Sequence, residues 1–302
     1  MLPLDAVLPA FLIAVAGYFT KNKLHLDTGS LSRVCLYILT PALAFNSLST
    51  SQMSFSVAWR ISLCAMMMAP LLWPIFTLFS RLFRSEPQTA RSLALPAVFS
   101  NAGNYGLPVC LFAFGQEGMD LGVVFMVSQT IIITTLGVYI AASSKMNAKG
   151  SLKQVLKMPS VYAVALGLLA RVSGITIPEA IMRPVGLLAQ ASVPVFLLVL
   201  GMQLAEKGED VPVKSVMPAV VFRLILGPML MAGVGFVVGL KGLPWQVMVL
   251  QAAMPSPVNA TILAREFNAH PSAVSKATLI NTIGSVLTLT IWIVLLRRFP
   301  IS

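Results

Sequence analysis

The stretches S-N-A-G-N-Y-G-L-P, Ser100 to Pro108, and A-A-M-P-S-P-V-N-A, Ala252 to Ala260, interrupt long apolar runs with proline and asparagine, the first also with glycine. One lies in each half of a 302-residue chain. Inside a bilayer an interrupted helix exposes amides and carbonyls that lipid cannot satisfy, so breaks occur where protein or a wet cavity surrounds them. Matching breaks in two halves point to the binding site of a secondary transporter.

Composition fixes the class. Hydrophobic residues make up 57% of the chain and charged ones 10%, against about 25% charged in soluble domains; mean hydropathy is +0.86. Apolar runs of about 20 residues recur from end to end, each long enough to cross the hydrocarbon layer. An all-α polytopic membrane protein embedded in a lipid bilayer is expected. Asp5 and Pro9, in or near the first run, fit a retained helix better than a cleaved signal. Three cysteines (Cys35, Cys64, Cys110), widely spaced and without C-x-x-C, support neither a disulfide framework nor a metal site. No cofactor is implied. The net charge of +11 reads as basic cytoplasmic loops rather than nucleic-acid binding.

Ten transmembrane helices are predicted, near 4–20, 31–49, 60–82, 92–115, 121–143, 160–177, 182–203, 215–239, 245–266 and 276–297. Fourteen of the Lys and Arg residues then fall on one side and six on the other, with Arg223 inside the eighth span. The crowded side is expected to be cytoplasmic, with both termini outside. The polar, basic segment 144–159 divides the chain into five spans over 1–143 and five over 160–302. Five is odd, so the halves take opposite orientations. An inverted five-plus-five repeat with two broken crossover helices, spans four and nine, follows. Spans five and ten put Ser128, Gln129 and Thr130, and Asn281 and Thr282, at depth.

Proline removes a donor and clashes with the preceding turn, so Pro108, Pro255 and Pro257 mark places where the ladder is expected to open. Gly103 and Gly106 are read as permitting the backbone of an unwound link. Each break creates a half-helix N-terminus with free amides and partial positive charge, and two such ends at mid-membrane suit an anionic group. Asn101, Asn104 and Asn259 add side-chain amides at that level; Ser128, Gln129 and Asn281 are expected to line the cavity. Single prolines (Pro70, Pro74, Pro228) read as kinks, and Gly235 with Gly239 as a G-x-x-x-G packing motif. Arg223, the lone deep cation, either draws an anion inward or snorkels to the cytoplasmic surface. No Asp or Glu is expected in the central part of a span.

Q-A-A-M-P at Gln251 to Pro255 with A-R-E-F-N-A-H-P at Ala264 to Pro271, Asn101 with G-L-P at Gly106 to Pro108, and L-S-R-V-C-L-Y-I-L-T-P-A-L-A-F at Leu31 to Phe45 together resemble the auxin efflux carrier family. The resemblance covers essentially the whole chain. It implies a fold related to bile acid–sodium symporters, with a scaffold of spans one, two, six and seven and a transport domain of spans three to five and eight to ten. It also implies substrate held at the crossover, elevator-type motion and homodimers through the scaffold. The central loop is far shorter than in plant members, and the plant crossover proline aligns with Ala260 beside Asn259. The short loop points away from phosphorylation-type regulation, and the altered second crossover points away from auxin itself as the substrate; prokaryotic members of the family are associated with small organic acids.

The expected function is a secondary transporter moving small organic anions (mono- or dicarboxylates, auxin-like acids) across a bacterial inner or plasma membrane. An anion channel or a sodium-coupled organic solute symporter is the alternative. An enzyme is not expected: His25 and His270 fall in loops and no paired acids lie at depth.

Overall fold

The computed structural model describes residues 4–83, 86–141, 158–205 and 211–299. Lys145, Lys149, Lys153 and Lys157 of the basic segment, with Arg84 and Lys207, lie outside the described residues. All regular structure among the described residues is helical. The helices are α1 (Leu4–Leu24), α2 (Thr28–Thr50), α3 (Phe55–Leu82), α4 (Pro87–Val98), α5 (Leu107–Ile132), α6 (Pro159–Ser173), α7 (Glu179–Leu204), α8 (Val213–Val237), α9 (Gly242–Ala253), α10 (Asn259–Glu266) and α11 (Pro271–Arg298). Among the described residues six stretches are long and apolar enough to cross a membrane; one of them, Pro87–Ala141, contains α4 and α5 and kinks at Gly115, where φ is +71°. Large apolar side chains such as Val172, Val237 and Leu82 stand exposed, as a lipid solvent allows.

Four π turns punctuate the described residues, and three share one cause. Cys35–Leu39, Ala102–Gly106 and Phe222–Leu226 are each followed two residues later by a proline: Pro41, Pro108 and Pro228. Proline cannot donate to the carbonyl four residues back and collides with it; widening the preceding turn relieves that contact. The orphan carbonyl ahead of Pro228 is that of Leu224, and the Trp292 indole on α11 donates to it at 3.1 Å. The fourth π turn, Ile133–Gly137, extends α5 to Ala141; there Thr134 and Thr135 return their hydroxyls to carbonyls of the preceding turn. Pro70 and Pro74 sit within an unbroken α3.

The helices pack as two groups that interleave the halves of the sequence. In one, α1 lies along α7, and α2 lies against both α6 and α7. In the other, α3, α4 and α5 pack with α8, α9, α10 and α11. Contact between α1 and α7 is backbone to backbone: a Cβ on Gly201 would meet the Ala14 carbonyl oxygen at 1.7 Å, and one on Gly17 the Leu198 oxygen at 2.2 Å. The G-x-x-x-G of α8 divides in role. Gly235 admits the Met248 and Trp245 side chains of α9, whereas Gly239 adopts φ +78° just beyond the helix, where its carbonyl accepts from Arg60 at 2.6 Å. Arginines on the sparser side of the charge count are committed to backbone in the same way: Arg171 to Met53 and Arg297 to Ala113.

Asp27 caps α2, accepting from the Ser30 hydroxyl at 2.6 Å and from the Ser30 and Gly29 amides. These bonds, the hydroxyl's first, hold its carboxyl below the usual carboxylate range. Gly201→Val must force α1 from α7 and is expected to destabilise by at least about 1–3 kcal/mol. Gly233→Val, whose Cβ meets nothing within 4 Å, should stay within about 0.5 kcal/mol of the parent. Thermal melts in detergent measure both.

Candidate functional site

Half-helices α4 and α9 are each 12 residues long, about 18 Å at 1.5 Å per residue, a little over half of a layer about 30 Å thick. Both stop there. Residues 99–101 and 254–258 run without regular structure between the half-helices, and the two gaps touch: the Asn101 amide donates to the Pro255 carbonyl at 2.7 Å. The chain then resumes as the π turn leading into α5 and as α10. Four half-helix ends therefore meet at one level, two carbonyl ends on one side and two amide ends on the other.

Side chains close the gaps. Gln129 on α5 donates to the Ser100 carbonyl and accepts from the Ser100 hydroxyl, both at 2.6 Å. In the other half Asn281 on α11 donates to the Ser256 hydroxyl at 3.1 Å. An amide from the following long helix thus secures a serine in each gap. Gln251 at the end of α9 is fully buried, its amide 3.4 Å from the Gly122 carbonyl. A Cβ on Gly106 would lie 2.1 Å from the Gln251 Oε1.

A cavity of about 370 Å³ adjoins the amide ends. Asn101, Ala102, Gly103 and Asn104 wall it from one half, Pro257, Val258 and Asn259 from the other. As first-turn residues, Ala102, Gly103, Asn104 and Asn259 leave amides without an intrahelical acceptor. Asn101 is 6% exposed and its Nδ2 has no hydrogen-bond partner among the described residues. The far wall comes from the other helix group: Thr40 on α2, Ser160 on α6 and Gln203 on α7. None of the lining residues is charged.

Of the sequence-predicted site residues, Asn101, Asn104, Gln129, Pro257 and Asn259 line this cavity. Gly106, Pro108, Pro255 and Asn281 do not. Pro108 sits in the first turn of α5, seven residues past the end of the gap; its effect is the π turn rather than the opening itself. Gly106 has φ −66° and ψ −44°, and neither it nor Gly103 has positive φ. What Gly106 provides is room for Gln251. Ser128 is buried but turns its hydroxyl back to Val124. Ser160 and Gln203 carry no local sequence signal, and Thr40, in the T-P-A-L of the second span, is marked there as part of a motif but not as a site residue.

Arg223 neither faces the cavity nor snorkels. It is 0% exposed, one guanidinium nitrogen bonding the Ala252 carbonyl and another 3.5 Å from that of Ala97. Asp120, in the second arm of α5, was also missed because it adjoins an apparent loop. It is 8% exposed and accepts from Ser47 of α2 at 2.7 Å and from Gln116 at 2.9 Å, beside a second cavity of about 420 Å³ lined by Thr50–Ser54, Glu117 and Leu121.

A helical, strongly apolar chain whose interrupted segments meet beside a polar-walled cavity has the form of a membrane transporter. Residues 3–293 match the family described as membrane transport protein, and the chain belongs to it; this is the auxin efflux carrier family, composed of transporters rather than enzymes. An uncharacterized transporter of Methanothermobacter thermautotrophicus is 28% identical over 297 residues, 97% of this chain and 98% of the relative. The Escherichia coli K12 transporter YfdV is 24% identical over 96% of both chains. Auxin efflux carrier component 6 of Arabidopsis thaliana is 26% identical over 201 residues, 65% of this chain and 32% of the plant protein.

Gly106→Ala should destabilise by about 1–3 kcal/mol. The double variant with Gln251→Ala should recover part of that loss, because the two side chains compete for one space. A double-mutant cycle by thermal melting reads the coupling; strictly additive losses would contradict the contact.

Proposed function

We propose that the protein is a secondary transporter of small organic anions, mono- or dicarboxylates, working by elevator-type alternating access. The observation that carries this reading is the wall of the 370 Å³ cavity. Two half-helix N-termini face it, each bearing up to about half a positive charge, and no lining carboxylate neutralises them. A carboxylate would accept the first-turn amides and the free Nδ2 of Asn101, with Asn104 and Asn259 orienting it. Gln129 acts from behind, holding Ser100. The name auxin efflux carrier component attached to the Arabidopsis relative agrees with an anionic cargo.

The finer architecture belongs to the same reading. The chain forms ten spans in an inverted five-plus-five repeat, 1–143 and 160–302, joined by the segment 144–159. Support comes from the paired gaps and from the matched Ser100–Gln129 and Ser256–Asn281 contacts. The group α1, α2, α6 and α7 is the scaffold and the dimer surface; the other group moves. Thr40, Ser160 and Gln203 are the fixed wall of the site, and the Ser47–Asp120 bond is an interaction that sliding would break. With the lysine-rich side taken as cytoplasmic, both termini lie outside an inner or plasma membrane, and the cavity opens inward. An anion leaving the cell then gains about 2.3 kcal/mol per charge per 100 mV.

Purified protein screened by thermal shift against mono- and dicarboxylates should be stabilised by about 2.7 kcal/mol when an acid is present at one hundred times its Kd. Asn101→Ala should lose that response and transport in proteoliposomes while still inserting. A flat response to every acid, or unchanged transport in Asn101→Ala, would remove the assignment.

A further inference from the structure

The two amide ends at the crossover are left for a ligand, but the two carbonyl ends are already filled. α4 terminates at Val98 and α9 at Ala253, and each end carries up to about half a negative charge on carbonyls that have lost their helical donors. Together they amount to up to about one negative charge in a fully buried site. The Arg223 guanidinium stands between them, bonded to the Ala252 carbonyl and 3.5 Å from the Ala97 carbonyl. It is fully buried, and among the described residues no carboxylate pairs with it. One fixed positive charge therefore meets about one negative charge distributed over two helix ends. The π turn Phe222–Leu226 that Pro228 imposes on α8 contains Arg223, and Trp292 satisfies the carbonyl which that turn releases. The arginine is held by a dedicated piece of backbone.

In carriers with discontinuous helices, half-helix C-terminal ends and unwound carbonyls are where a coupling sodium ion or proton is held. We infer that Arg223 is a resident counter-cation which takes the place of a coupling metal ion, making the crossover sodium-independent. It is a positioning residue: it locks the carbonyl ends of α4 and α9 together and so sets the spacing of the amide ends across the gap. The guanidinium stays charged throughout physiological pH, so the lock neither loads nor unloads during a cycle. The inference rests on the crossover geometry and deepens the carrier reading; it does not depend on which acid is carried.

The test is the melting temperature of the full chain in detergent, with choline, sodium or methylguanidinium chloride at equal low-millimolar concentration. Wild-type protein should melt at the same temperature in all three salts. Arg223→Met, which keeps length and loses charge, should melt about 10 °C lower in choline, and methylguanidinium should restore at least half of that drop. Arg223→Lys should lie between the two. Selective sodium stabilisation of the wild type would overturn the inference, and that measurement needs no variant to fold. So would an Arg223→Met protein that melts like wild type, or one that folds but ignores methylguanidinium. Failure of the carboxylate screen with these cation results intact would remove only the anion assignment.

Discussion

Backbone groups bared by an interrupted helix have no water to turn to inside a bilayer, and every feature of the crossover follows from how protein satisfies them. At the carbonyl ends a buried arginine supplies donors to Ala252 and Ala97. In the gaps Gln129 and Asn281 hold Ser100 and Ser256, and the gaps hold one another through Asn101 and Pro255. The first-turn amides lack intrahelical acceptors, and there a cavity begins. Its polarity is the complement of what has been satisfied elsewhere, which is the physical basis for the anionic cargo proposed.

Proline does two different jobs in this chain. In the second gap Pro255 and Pro257 lie in the irregular segment and prevent the helix from continuing. At Pro41, Pro108 and Pro228 it widens the preceding turn without breaking the rod. At Pro228 the freed Leu224 carbonyl is taken up by the Trp292 indole. Widened turns occur beside working parts: one contains Arg223, one forms the amide end at Ala102–Gly106, and the one in α2 includes Leu36, which lines the cavity with Thr40.

The two helix groups meet through few polar contacts, and those lie on either side of the crossover. The cavity at the amide ends is shared between the groups, and so is the Ser47–Asp120 bond near the second cavity. Within each group the contacts are closer, down to backbone against backbone at Gly17 and Gly201. Tight packing inside the groups and looser, partly polar contact between them is the arrangement that relative motion of two bodies requires.

The sequence by itself determined the apolar, helical, membrane-spanning character of the chain and the positions of both interruptions, because proline, asparagine and a 20-residue apolar period act through local rules. It also drew attention to Asn101, Asn104 and Asn259, which line the cavity, since an amide beside a break is conspicuous in lipid. It could not distribute roles that depend on which helix faces which. Gly106 read as a flexible link and proved to be space for Gln251, a partner 145 positions away. Arg223 read as a lure or a snorkel and proved to join two helix ends that are distant in sequence. Ser160 and Gln203 carried no signal, and Thr40 only that of its T-P-A-L motif, since each is an ordinary polar residue until the fold brings it opposite the gaps. Local covalent geometry writes itself into sequence; the pairing of charges with helix ends is set only when the helices assemble.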